Sequence, residues 1–96
     1  MPFLIALTNS AEEALVDLQR TNDRKYRKVL RALGKLAVNP RHSGLSSHKL
    51  ETVKGPGKEE AWESYVENHT PGAWRIYWFY GPVTNTITVF AVIAHR

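Results

Sequence analysis

Apolar residues fall along this chain with two different periods. Phe3, Ile5 and Leu7 alternate with Leu4 and Ala6 in a short run that predicts a buried first strand. Thr8, Asn9 and Ser10 stop it. Ser10 and Glu13 fit an S-x-x-E capping box, and Ala11, Ala14, Leu15 and Leu18 recur at helical spacing, so a helix is expected over about 11–20. Thr21-Asn22-Asp23 predicts a second cap, followed by an apolar stripe of Tyr26, Val29, Leu30, Leu33 and Leu36 that carries a second helix to about residue 37. Asn39-Pro40 ends it, because a residue before proline is pushed out of the helical region. Residues 39–48, rich in Ser, Gly and Pro, read as a loop.

Beyond that loop the period changes to that of strands. His48–Val53 reads as a short strand, Lys54-Gly55-Pro56-Gly57-Lys58 as a turn, and Ala61–Glu67 as a second strand. After a turn at 68–72, Trp74–Tyr80 is the strongest strand pattern in the chain. It places Arg75, Tyr77 and Phe79 on one face and Trp74, Ile76, Trp78 and Tyr80 on the other. A turn at 81–85 leads into a nearly all-apolar strand, 86–94. Short loops make hairpins, so the expected class is α+β: an antiparallel meander with an N-terminal strand, and a helical hairpin packed on one face, with residues 1–96 as one domain.

The chain has 96 residues, 43% of them hydrophobic, which is the make-up of a globular protein. With no cysteine it has neither disulfides nor thiolate metal sites, and its core must come from three Trp, four Tyr and aliphatic residues. No run approaches a membrane helix, and the opening Met1–Leu7 lacks the basic flank of a signal peptide, so a cytoplasmic protein with no membrane partner is expected. The net charge of +4 is unevenly spread. Arg24, Lys25, Arg27, Lys28, Arg31, Lys35, Arg41 and Lys49 lie in a stretch, 24–50, that holds no acid. Six acids form two clusters elsewhere, Glu12, Glu13, Asp17 and Glu59, Glu60, Glu63. Such a block suits a polyanion or an acidic protein; it is also what a solvated helix face looks like.

Three chemistries fit poorly. His42, His48, His69 and His95 show no metal-ligand spacing, and neither a metal nor another cofactor is expected. Gly55-Pro56-Gly57-Lys58 lacks the spacing of a phosphate loop and is better read as a hairpin turn. Ser43, Ser46 and Ser47 lie beside His42 and His48 without a nucleophile elbow. More informative is Arg75, a charge inside the aromatic strand W-R-I-Y-W-F-Y. It should face an open groove or pair with Glu63 or Glu67 on the neighbouring strand. If Arg75, His48 and the near-terminal His95 meet on one sheet face, they supply two groups titrating near neutrality and one permanent cation. That is the equipment for cleaving RNA through its own 2′-hydroxyl. Taken singly, each has a bland account as a surface or salt-bridged residue. Tyr65, Tyr77 and Phe79 cannot all lie beneath the helices, which leaves aromatic surface for base stacking or a protein partner.

The order of elements, the segment Ser47-His48-Lys49-Leu50, the strands Trp62–Asn68 and Trp74–Tyr80, and the ending Ile87–Arg96 together resemble the RelE/ParE toxin superfamily of bacterial toxin-antitoxin systems over essentially the whole chain. The resemblance implies a type II toxin that cleaves mRNA on the ribosome and is neutralised by a cognate antitoxin, with operator DNA met only through the toxin-antitoxin complex. Carried onto this sequence, it implies that Arg75 steadies the phosphate, His95 acts as the acid, and His48 stands where a base is found. Glu63 would orient Arg75 or act as the base itself. Arg24, Lys25, Arg27, Lys28, Arg31, Lys35, Arg41 and Lys49 would bind RNA or the ribosome. Lys54 and Lys58 sit in a turn and the third strand carries Glu63 and Glu67, so this chain departs from the lysine-rich variant of the site. The same resemblance leaves two other readings open, a gyrase poison of the ParE type and a non-toxic protein-binding relative.

Overall fold

The computed structural model of the chain, which describes residues 2–68 and 72–94, opens with a strand, β1 (Leu4–Leu7), and two helices, α1 (Asn9–Thr21) and α2 (Asp23–Val38). A 3-10 turn at Ser43–Leu45 then leads into β2 (His48–Lys54), β3 (Glu60–Tyr65), β4 (Trp74–Tyr80) and β5 (Thr86–Ala94). The strands form one sheet in the order β1-β5-β4-β3-β2. The last four make an antiparallel meander, and β1 closes the far edge in parallel with β5, Leu4 opposite Thr86 and Leu7 opposite Val89. The expected α+β architecture is therefore the observed one. None of the described helices is long and apolar enough to cross a membrane.

Local chemistry explains the helix ends and corrects two expectations. The cap of α1 is Thr8, whose Oγ1 accepts from the Ala11 N–H at 3.2 Å; it is not Ser10. Thr8 still belongs to the strand's hydrogen bonding, donating its own N–H to the Val89 carbonyl at 3.0 Å, so the chain turns into helix directly from the sheet. Asn22 serves both helices: its N–H closes α1 on the Leu18 carbonyl, and its side chain accepts from the Lys25 N–H, capping α2. A one-residue link of this kind forces the two helices into a hairpin. On α2 the buried stripe is Val29, Ala32, Leu33 and Leu36, while Leu30, expected inside, is exposed. The first strand, expected to be buried, lies at the sheet edge with Leu4 68% exposed.

The core lies between the helical hairpin and one face of the sheet. Ala11, Leu15 and Leu18 of α1 and the α2 stripe close on Ile76 and Trp78 of β4 and on Ile87, Val89 and Val92 of β5. The change from odd to even positions along β5 has a cause. Trp78 pairs with Val89 but Tyr77 with Ala91, so an extra residue is accommodated between them and the alternation reverses. Phe90 lies on the opposite face, where its ring meets those of Tyr77 and Phe79 at centroid distances of 6.1 and 6.0 Å, and the extra residue returns Val92 to the core.

One polar chain crosses this core. Trp78, fully buried, donates its indole N–H to the Ser64 Oγ at 2.7 Å, and that oxygen lies 2.6 Å from the Ser47 Oγ. A buried indole N–H needs an acceptor, and the same serine fastens the start of β2 to β3. Replacing Ser64 by Ala leaves the Trp78 donor buried and unpaired, at a cost of about 1–3 kcal/mol. For a chain of this size the melting temperature should fall by several degrees per kcal/mol, roughly 4–8 °C. Thermal unfolding followed by tryptophan fluorescence checks this, and an unchanged midpoint would contradict it.

Candidate functional site

The sheet face turned away from the helices carries charge. Cross-strand register sets His48 of β2 opposite Glu63 of β3, Glu63 opposite Tyr77 of β4, and Tyr65 opposite Arg75. Directly opposed side chains on one face are in reach of each other, so the register alone assembles a cluster. His48 Nε2 lies 2.9 Å from Glu63 Oε1, and the Tyr77 hydroxyl also bonds to this carboxylate. Burial, the Glu63 charge and that hydrogen bond raise the Tyr77 pKa, and the lowering effect of Arg75 does not cancel them, so Tyr77 remains a neutral donor. The Arg75 guanidinium lies over the Tyr65 ring, 3.8 Å from its centroid, and the His48 ring meets the same tyrosine edge-on at 5.7 Å.

Arg75 and Glu63 are 8% and 7% exposed, an unusual depth for charged residues. Arg75 Nη1 donates to the Glu67 carbonyl at 3.0 Å, but its Nε stands 4.0 Å from Glu63 Oε2 and has no hydrogen-bond partner among the described residues. The pair therefore attracts without a direct hydrogen bond, and a buried donor is left available. His48 is the accessible member, with 46% of its side chain exposed and its Nδ1 3.1 Å from the Ser46 carbonyl. Of the three residues considered together, Arg75 and His48 share this face, with Glu63, considered as a partner of Arg75, between them; Tyr65, expected as a stacking surface, is the platform beneath Arg75. His95 lies outside the described residues.

Glu67 is the residue whose part the sequence did not reveal. Just past the end of β3, its carboxylate receives Lys25 Nζ at 2.5 and 2.6 Å, Lys28 Nζ at 3.0 Å and the Trp74 N–H at 3.4 Å. Burial would raise its pKa, but the bonds from Lys25, Lys28 and Trp74 and the Lys25 charge outweigh it and bring the group from 4.5 down to about 2. Its side chain thus ties α2 to the sheet while its carbonyl holds Arg75. Only long-range pairing marks this residue, and two lysines 42 and 39 positions away give no local signal.

The basic segment is consequently divided. Lys25 and Lys28 are engaged by Glu67, and Arg27 pairs with Asp23 at 2.9 Å. Arg24, Arg31 and Lys35 are exposed and make no ion pair among the described residues. Lys49 pairs with Glu60 at 3.1 Å and, being next to His48 along the strand, points to the other face; Arg41 lies 5.7 Å above Trp62, also on that face. Phe79 is buried and does not offer the exposed stacking surface expected of it. The β2–β3 turn closes over it, and a Cβ on Gly55 would come within 3.0 Å of its ring. Tyr77 is half-buried. Among the described residues no group of His, Asp or Glu is arranged to hold a metal ion.

A carboxylate whose pKa is lowered by folding adds stability above its unfolded value, and that contribution is lost as pH falls through the folded value. For Glu67 the window runs from about pH 4.5 down to about 2. The stability advantage of the parent over Glu67→Gln should be full at neutral pH and shrink across this window. Urea unfolding at several pH values measures it; a difference independent of pH would contradict the assignment.

No protein-family model and no curated protein matches the sequence. Solved structures do. A YoeB/ParE toxin from Agrobacterium tumefaciens aligns with a TM-score of 0.74 at 14% identity, covering 97% of this chain and 99% of that one. A chain of the YoeB-YefM complex from Staphylococcus aureus gives 0.71 at 15% identity with both chains covered completely. The archaeal RelE-RelB complex from Pyrococcus horikoshii OT3 gives 0.67 at 17%, with 98% and 96% covered. With its parallel edge strand, antiparallel meander and helical hairpin, the chain has the fold of the RelE/ParE toxin superfamily.

Proposed function

We propose that this chain is the toxin of a type II toxin-antitoxin system and acts as a ribosome-dependent mRNA endonuclease, held in check by a cognate antitoxin. The observation that carries this reading is the cluster of His48, Glu63 and Arg75 on the open face, with a buried guanidinium nitrogen that has no acceptor among the described residues. Structures of similar chains in complexes with YefM and RelB support the antitoxin as partner. Operator DNA would be met only through that complex.

In the proposed reaction Glu63 accepts from His48 Nε2–H, while Nδ1, which can only donate to the Ser46 carbonyl beside it, first gives that proton to water and so becomes the basic nitrogen. A ribose 2′-hydroxyl displaces the Ser46 carbonyl and gives its proton to Nδ1 as its oxygen attacks phosphorus. Arg75 neutralises the charge that builds on the phosphoryl oxygens, which offer its Nε an acceptor that none of the described residues supplies. The bond to the 5′-oxygen breaks and that oxygen takes a proton from His95, giving a 2′,3′-cyclic phosphate and a 5′-hydroxyl. Tyr65 and Tyr77 hold Arg75 and Glu63 in place.

Removing a general acid or base typically costs about 10²–10⁴-fold in rate. Arg75→Ala, His48→Ala and His95→Ala should each relieve growth arrest when expressed without antitoxin, and primer extension should show the loss of mRNA cuts. Cleavage by all three at the parent's rate would refute the mechanism. DNA damage with translation intact would favour a gyrase target instead.

A further inference from the structure

Beside the Arg75 cluster, α2 and the 3-10 turn enclose a cleft of about 230 Å³ whose walls include Lys28, Arg31, Lys35, Gly44, Tyr65 and Glu67. Its charge balance is one-sided. The single carboxylate, Glu67, is already satisfied by Lys25 and Lys28, so it repels an incoming anion less than a free acid would. Arg31 and Lys35, on consecutive turns of α2, keep their charges unpaired among the described residues. The turn's backbone comes close to them: a Cβ on Gly44 would stand 3.7 Å from Lys35 Nζ. Tyr65 belongs both to this cleft and to the catalytic face, where its ring lies against Arg75 at 3.8 Å.

We infer that this cleft is a second anion subsite, taking the backbone phosphates of a single-stranded RNA next to the phosphate held by Arg75. This rests on the RNA-cleavage reading and gives it a direction, with the strand passing from α2 across Tyr65 to Arg75. A row of cations joined to an aromatic ring is what a single strand requires, because phosphates meet charge while a base or ribose meets the ring. An acidic peptide would use the charges but has no need of the tyrosine. Of the acid-free block, two side chains are thereby set apart as substrate contacts, while Lys25 and Lys28 serve the scaffold.

The test is binding of a short single-stranded 2′-O-methyl RNA, which cannot be cleaved, measured by fluorescence anisotropy over a range of salt concentrations. Each phosphate contact on a single strand contributes about 0.7 to the slope of log K against log salt. Arg31→Gln combined with Lys35→Gln should make the slope shallower by about 1.4. The equally charged Lys54→Gln with Lys58→Gln, in the hairpin at the other end of β3, should leave it unchanged. A slope unaffected by the cleft pair, or lowered equally by both pairs, overturns the subsite. So does loss of polyglutamate binding with RNA binding intact, which would assign the cleft to an acidic protein. Cleavage by the parent is scored in parallel. If it cleaves mRNA on ribosomes and the cleft pair does not alter the slope, the subsite alone fails; a parent inert on ribosome-bound mRNA removes the reading beneath it.

Discussion

Two opposite charges buried on one face of a small sheet set the terms for much of this molecule. Glu63 and Arg75 are more than nine-tenths buried, and a buried charge is tolerable only where neighbours replace water. The register supplies those neighbours: His48 and Tyr77 reach the carboxylate, and Tyr65 lies beneath the guanidinium. The replacement is incomplete at Arg75 Nε, which faces the carboxylate from 4.0 Å without a hydrogen bond. A buried guanidinium nitrogen with no acceptor among the described residues is poorly explained by stability. Such a donor is better explained as one held ready for an anion, and the proposed phosphate fits it.

The rest of the architecture serves that placement. The Trp78–Ser64–Ser47 hydrogen bonds pin the start of β2, and with it His48, to β3 from the core side. Glu67 does the same from the helix side, drawing α2 against the end of β3 with its carboxylate while its carbonyl receives Arg75. The core therefore has a polar seam on either flank of the site. Both seams run between elements distant in sequence, so the geometry of the face depends on the whole chain being folded.

Much of this was legible beforehand, for physical reasons. Strand alternation in W-R-I-Y-W-F-Y separates the core residues Ile76 and Trp78 from Arg75 and Tyr77 whatever the partner strand, and Arg75 was conspicuous because strands rarely carry charge inside. The helical hairpin followed from caps and spacing, though Thr8 replaced Ser10 as the cap because the sheet holds Thr8 by its backbone. Less could be read where the pattern was uniform. The last strand is apolar throughout, so its alternation cannot reveal the bulge that reverses it near Phe90. Likewise a run of eight cations gave no hint that Lys25 and Lys28 would be spent on Glu67, since that pairing arises only after folding. The burial of Phe79 is not legible in its own strand, because it comes from the turn at Gly55 that covers it.

On this account the open face breaks RNA by turning its own 2′-hydroxyl on the adjacent phosphate, with neither water nor metal as the nucleophile's source. The chemistry left at the cut is the most direct test. Mass spectrometry of RNA fragments produced by the purified protein with ribosomes should find 2′,3′-cyclic phosphates paired with 5′-hydroxyl ends. Fragments carrying 5′-phosphates, or RNA left intact, would contradict it.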